Sequence, residues 1–186
     1  MKNNRSGQAE PLTKEEFWQV YEALQSHHHR LIFALCWFTT ERPGAILKLT
    51  VAAVYEQPRK PRGTIVIPAW SRKDRQTREV PVSRKLKGIL SQYIHPPTGW
   101  LFPSPLDEEQ CLSFSAYQKA LTRAFRILGF SGYSTYSTRR GSITHLSRQG
   151  LSIKNIQAIS GHKSLTCLQR YIEVSPAERE AAIALL

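Results

Sequence analysis

Along most of this chain the apolar positions recur at helical spacing, and the exceptions cluster in one stretch before its midpoint. Thr13 followed by Glu16 is a capping box that opens a helix through about Ser26. His27-His28-His29 interrupts the pattern. A second helix is expected from about Arg30 to Thr39, and the density of Leu31-Ile32-Phe33-Ala34-Leu35 implies its burial. Pro43 and Gly44 break the chain, and Ala45 to Leu49 can form a short helix. Thr64-Ile65-Val66-Ile67-Pro68 and Arg78-Glu79-Val80-Pro81-Val82 then read as two strands, with Arg72 to Thr77 as the polar tip of a hairpin.

Helical spacing returns from Ser83 to about Tyr93 and stops at the loop-forming Pro96-Pro97-Thr98-Gly99. Further helices are expected over Ser113 to Leu128, Ser137 to Gly150, and Ile153 to Ser160, the last closed by Gly161 as a left-handed cap. Another starts at Ser164 and carries Tyr171. Ser175-Pro176-Ala177-Glu178 combines an N-cap, a proline at the first helical position and a glutamate box, opening a last apolar helix, Pro176 to Leu186. These elements predict an α+β fold, mainly α-helical, with a small antiparallel β-sheet at one edge. Residues 1–11 read as a flexible leader and 12–186 as one domain, without repeats or low-complexity tracts.

Charge narrows the choice of partner. Against 14 Asp and Glu stand 26 Lys and Arg, a formal charge of +12 with a pI near 10.0, which favours nucleic acid or an anionic membrane. The longest purely apolar run, Leu31 to Phe38, is too short to span a bilayer, and the polar N-terminus lacks the apolar core of a signal peptide. Cys36, Cys111 and Cys167 form neither a paired framework nor a metal spacing, and Cys36 and Cys167 fall in apolar helical patterns as packing residues. A reducing, cytoplasmic setting follows. The histidine triplet is expected to be a polar junction, since adjacent helical residues point in different directions and cannot all ligate one ion.

The residues with chemical potential are Arg42, Lys73, Arg139, His162 and Tyr171. Breaking a phosphodiester without a metal requires charge stabilisation on the non-bridging oxygens, a deprotonated nucleophile and a protonated leaving group. Arginine suits the first need, because its planar fork binds two phosphate oxygens and stays protonated. Arg42 and Arg139 each stand at a loop-to-helix junction, although either alone reads better as a surface salt-bridge residue. A tyrosine hydroxyl, with an ordinary pKa of about 10, needs hydrogen bonds and nearby positive charge to become a nucleophile. Arg170 and His162 offer both to Tyr171, which otherwise borders the core stripe Leu165, Leu168 and Ile172. Lys73 can protonate a leaving oxygen or serve as a solvated phosphate contact. Arg72, Arg75, Arg78, Arg140 and Lys163, with the Arg59-Lys60-Pro61-Arg62 run, are expected to grip the DNA backbone, which positions DNA without reading its sequence.

Taken together these residues resemble the catalytic domain of the tyrosine recombinases, the phage-integrase family, from Leu12 to the C-terminus. Thr39-Thr40-Glu41-Arg42-Pro43-Gly44-Ala45-Ile46-Leu47-Lys48-Leu49 is similar to the first arginine box. Lys73 precedes Val80-Pro81-Val82 as the family's hairpin lysine precedes its strand. Arg139 matches the His-x-x-Arg box, with Thr144-His145-Leu146 continuing it, His162 matches the Gly-His box, and Tyr171 the nucleophile. Tyr136 departs from the family by standing where histidine is usual, which leaves the base for Tyr171 open. The family's N-terminal core-binding domain has no counterpart beyond the leader.

The resemblance implies a site-specific recombinase or integrase, a tyrosine-type DNA strand transferase. Its reaction is two transesterifications through a 3′-phosphotyrosyl intermediate, with no metal or nucleotide cofactor. Double-stranded DNA is the implied partner, with a homotetramer on DNA, possible accessory DNA-bending proteins and a nucleoid-associated location. The terminal helix fits docking on a neighbour or packing within its own chain. A type IB topoisomerase uses similar chemistry, and a DNA-binding regulator derived from a recombinase is the alternative from another class.

Overall fold

The computed structural model describes residues 8–171 together with residues 180, 183 and 184. The capping box closes as its residues predict, with the Glu16 N–H donating to Thr13 Oγ1 at 3.1 Å and the Thr13 N–H to Glu16 Oε2 at 2.8 Å. It starts α1 (Lys14–Ala23), whose buried Phe17 and Val20 face α2 (His27–Phe38). The Phe17 ring stacks on Phe33 at 5.0 Å and lies 4.7 Å from Trp37. Every residue of α2 from Leu31 to Trp37 is buried, so this helix is the axis of the molecule. It begins at His27, earlier than the apolar run suggests. His28 Nδ1 lies 2.5 Å from the Tyr93 hydroxyl and the His29 ring lies beside Tyr117, so the triplet forms a helical first turn instead of an interruption.

After α2 come two four-residue helices, α3 (Pro43–Ile46) and α4 (Val51–Val54). Among the described residues the sheet component is two separate antiparallel pairs. β1 (Tyr55–Gln57) with β2 (Lys60–Pro61) was not foreseen, and Arg59 sits in the turn between them at φ 59°. β3 (Thr64–Ile67) pairs with β4 (Arg78–Pro81) in the expected hairpin, Thr64 opposite Pro81 and Ile67 opposite Arg78. Ile65, Ile67 and Val80 point into the core, so the alternation fixes the register.

Further α-helices among the described residues are α5 (Arg84–Gln92), α6 (Phe114–Ile127), α7 (Ser137–Arg148), α8 (Ile153–Ser160) and α9 (Leu165–Gln169). α7 packs on α1, α2 and α8. A Cβ at Gly141 would stand 2.2 Å from the Leu12 carbonyl oxygen and 2.8 Å from the Trp37 ring, so only glycine allows this approach. Beneath α8 and α9 a second small core gathers Ile143, Ile156 and Leu168, with Tyr171 packed at its border.

The chain ahead of α1 is tied down where it is described. Gln8 accepts a hydrogen bond from Arg140, the Glu10 N–H donates to the Gly132 carbonyl at 3.0 Å, and Leu12 is buried. Residues 1–7 of the expected leader lie outside the described residues, as does the expected terminal helix apart from residues 180, 183 and 184. Cys36 is buried, whereas Cys167 is exposed instead of packing inward.

Candidate active site

Arg139 lies in the first turn of α7 and is 1% exposed, the largest fully buried side chain among the described residues. Its guanidinium is pinned from three directions. Nη1 donates to the Thr40 carbonyl and lies 3.8 Å from Glu41 Oε1. Nη2 donates to the Ser160 carbonyl at 3.0 Å and lies 3.1 Å from His162 Nε2. Thr40 adopts φ 55°, a left-handed conformation costly for a β-branched residue; there its carbonyl receives Arg139. Burial, reinforced by the Arg42 guanidinium, brings the Arg139 pKa down to about 10, so it remains a cation at neutral pH.

Glu41 sits under this cluster at 1% exposure. Its Oε2 accepts from Arg72 Nε at 3.0 Å and Arg78 Nη1 at 3.1 Å, while Oε1 accepts the Arg42 N–H at 2.8 Å. Arg78 also donates to the Thr39 carbonyl at 2.7 Å, and Arg72 pairs with Asp74 at 3.0 Å. Arg72 and Arg78, expected to grip the DNA backbone, thus direct these donors to partners inside the protein. Both are buried, because the hairpin folds their guanidiniums back onto a carboxylate that would otherwise be stranded. Four arginines, Arg42, Arg72, Arg78 and Arg139, surround two carboxylates, Glu41 and Asp74. The excess positive charge suits an incoming anion.

Gly161 caps α8 at φ 67°, and its carbon lies close enough to Arg72 that a Cβ would meet Nη2 at 2.9 Å. This turn delivers His162 to Arg139. The imidazole Nδ1 lies 2.7 Å from Ser160 Oγ, and Gln157 Nε2 donates to the His162 carbonyl at 2.9 Å. Burial first, then the Arg139 and Arg42 charges, lower the His162 pKa to about 4, leaving the ring neutral.

Tyr171 follows α9 on a turn instead of riding the helix, its N–H bonded to the Leu168 carbonyl at 2.9 Å. Its ring lies 5.1 Å from that of His162 at an interplanar angle of 52°. Thr144 Oγ1 donates to the Tyr171 carbonyl at 2.8 Å. Arg140 lies over the Tyr171 ring at 5.4 Å and donates to the Arg170 carbonyl at 3.3 Å. It is thus buried against the tyrosine.

Arg42, Lys73 and Tyr136 line a cleft of about 650 Å³ together with Lys48 and Arg75. Among the described residues the Arg42 guanidinium forms no hydrogen bond or ion pair. Lys73 and Arg75 are exposed on the hairpin, Lys163 is exposed beside His162, and Tyr136 is 53% exposed at the N-cap of α7. His162 touches both Arg139 and Tyr171, whereas Lys73 and Tyr136 face the cleft. Residues 10–178 match the family described as phage integrase. The chain belongs to the phage integrase family.

Among its relatives, this integrase-family chain is 29% identical over 119 residues to tyrosine recombinase XerC of Rickettsia prowazekii (strain Madrid E), a match covering 59% of this chain and 37% of the relative. It spans about a third of the length of the curated relatives it matches. The crystal structure of XerA recombinase superposes with a TM-score of 0.76 at 19% identity, over 98% of this chain and 66% of that one. A lambda integrase dimer bound to a COC′ core site gives 0.69 at 19% identity, over 95% and 51%. The expected fold is therefore the one this integrase-family chain adopts: mainly helical, with small antiparallel sheets.

Two side chains at the centre of the site had not been singled out, Glu41 and Ser160. Glu41 is the only acidic residue between Glu22 and Glu56; a solitary acid beside Arg42 was the available signal. Ser160 carried no signal beyond its place before Gly161.

Proposed function

We propose that this chain is the strand-cleaving part of a site-specific DNA recombinase that cuts and rejoins double-stranded DNA. The observation that carries this reading is the Tyr171 phenol beside a neutral His162 that itself contacts the buried Arg139. Tyr171 Oη attacks the scissile phosphorus, the bond to the 5′-oxygen breaks, and a 3′-phosphotyrosyl ester forms. Arg42 and Arg139 stabilise the charge on the non-bridging oxygens. Lys73, on the exposed hairpin, delivers the proton to the departing 5′-oxygen. A 5′-hydroxyl from a partner strand then attacks the phosphotyrosine and regenerates the phenol. Bond energy is kept in the ester, so no nucleotide is consumed.

The +12 charge supports DNA as the partner, and among the described residues no helix is long and apolar enough to cross a membrane. A homotetramer on two DNA sites, assisted by DNA-bending proteins and acting at the cytoplasmic nucleoid, completes the proposal. It is tested by trapping on a randomised DNA library carrying nicked sites, wild type beside Tyr171→Phe. Covalent adducts with wild type and none with the variant are expected. Their absence from both proteins, while salt-sensitive DNA binding persists, would replace a strand transferase with a DNA-binding regulator.

A further inference from the structure

Among the described residues, every exposed Phe, Trp and Tyr side chain lines one cleft, the one that holds Arg42 and Lys73. They are Trp70, 49% exposed, Phe114, 42% exposed, and Tyr136. Cleavage as described above uses none of them. Trp70 is firmly mounted. It sits in the single 3₁₀ turn Ala69–Ser71, where the Ser71 N–H and Oγ both donate to the Pro68 carbonyl, at 3.0 and 2.8 Å. The next residue, Arg72, is buried on Glu41. Its ring meets Trp100 at 6.0 Å with an interplanar angle of 70°, and Trp100 Nε1 is itself anchored to the Glu109 carbonyl at 2.7 Å. In that edge-to-face arrangement Trp100 covers at most one face of the Trp70 indole, and half of the residue stays in solvent. The exposed cations Lys48, Lys73 and Arg75 line the same cleft, and its one acid among the described residues is the buried Glu41. Exposed aromatic faces among cations are what a groove for unpaired nucleic acid requires: rings for the bases and charge for the backbone.

We infer that this cleft takes DNA carrying an unpaired nucleotide, whose base stacks on Trp70 while the surrounding cations hold its backbone. The inference rests on the proposed reading of the cleft as a DNA site, and it narrows the class of DNA. In a continuous duplex the bases offer a protein only their edges, because their faces are covered by the neighbouring bases. A ring face such as that of Trp70 finds a partner only when a base leaves the stack. The cleft, about 650 Å³, has the size of a pocket for a small ligand, which suits a nucleotide turned out of the helix. Phe114, at the first position of α6, adds a second apolar surface to the lining. Every base has a face to stack, so this contact selects unpaired DNA without choosing a sequence.

The test is equilibrium binding by Tyr171→Phe protein, which cannot form the proposed adduct, at one fixed salt concentration. Three end-labelled DNAs of the same sequence are compared by fluorescence anisotropy: a matched duplex, the duplex with one extrahelical adenine, and the duplex with an abasic residue at that position. The adenine bulge should bind about 5- to 150-fold more tightly than the other two, the range that one base stacked on an aromatic ring supplies. Adding Trp70→Ala should bring the three affinities together, and Trp70→Phe, which keeps a ring, should retain part of the preference. Equal binding of the adenine and abasic bulges would overturn the inference, because bending of the DNA would then explain any preference over the matched duplex. A preference that survives Trp70→Ala would overturn it as well, leaving Trp70 to a contact with another protein surface. The first comparison is made among DNAs on one protein, so it holds whether or not Trp70→Ala folds. A protein that binds none of the three would sink the DNA reading as a whole, whereas missing adducts in the trapping experiment bear on strand transfer alone.

Discussion

Burying a carboxylate costs several kcal/mol unless charge and hydrogen bonds compensate it. Glu41 meets that condition with bonds from Arg72, Arg78 and the Arg42 N–H, and with Arg139 at 3.8 Å. Its removal would leave buried guanidiniums facing one another. Glu41→Gln is therefore expected to destabilise the protein by about 3–5 kcal/mol, as breaking a buried ion pair does, read from the urea midpoint; an unchanged midpoint would mean these charges find other partners. The same residue shows where sequence reasoning stops. Arg42, Arg139, His162 and Tyr171 were recognisable because each sits in a short local pattern. Glu41 contacts residues 31 and 37 positions further along, and no local spacing encodes that. For the same reason Arg72, Arg78 and Arg140 were legible as cations but not as buried ones.

Elements long enough to show a period were the legible ones. The capping box of α1, the β3–β4 hairpin and the glycine cap of α8 stand where their residues put them. β1 and β2, with three and two residues, are too short to display alternation. α9 ends at Gln169, so the tyrosine leaves the helix and turns back towards His162. Gly141 is the clearest case of packing overriding local preference. Alanine is the better helix former by about 1 kcal/mol, yet its methyl group would collide with the Leu12 backbone and Trp37. Gly141→Ala should lose about 1–3 kcal/mol of stability through overpacking, with hydrogen exchange accelerated at residues 8–12. A more stable variant would show that α7 has room to move.

Across the whole molecule the site draws on the turn after α2, the β3–β4 hairpin, the start of α7, the end of α8 and the turn after α9. One element joins these parts: α7 carries Arg139, holds the Tyr171 carbonyl through Thr144, and lays Arg140 on the tyrosine ring. The proposed clamp and nucleophile are thereby braced by the same helix of one polypeptide. Under the proposed reaction, a mixture of Tyr171→Phe chains with Arg139→Lys chains should yield no covalent adduct, although each supplies what the other lacks. Adducts from that mixture would mean the tyrosine is lent across subunits. Under the proposed reaction, then, the groups that make each break come from one chain, however many copies gather on the DNA.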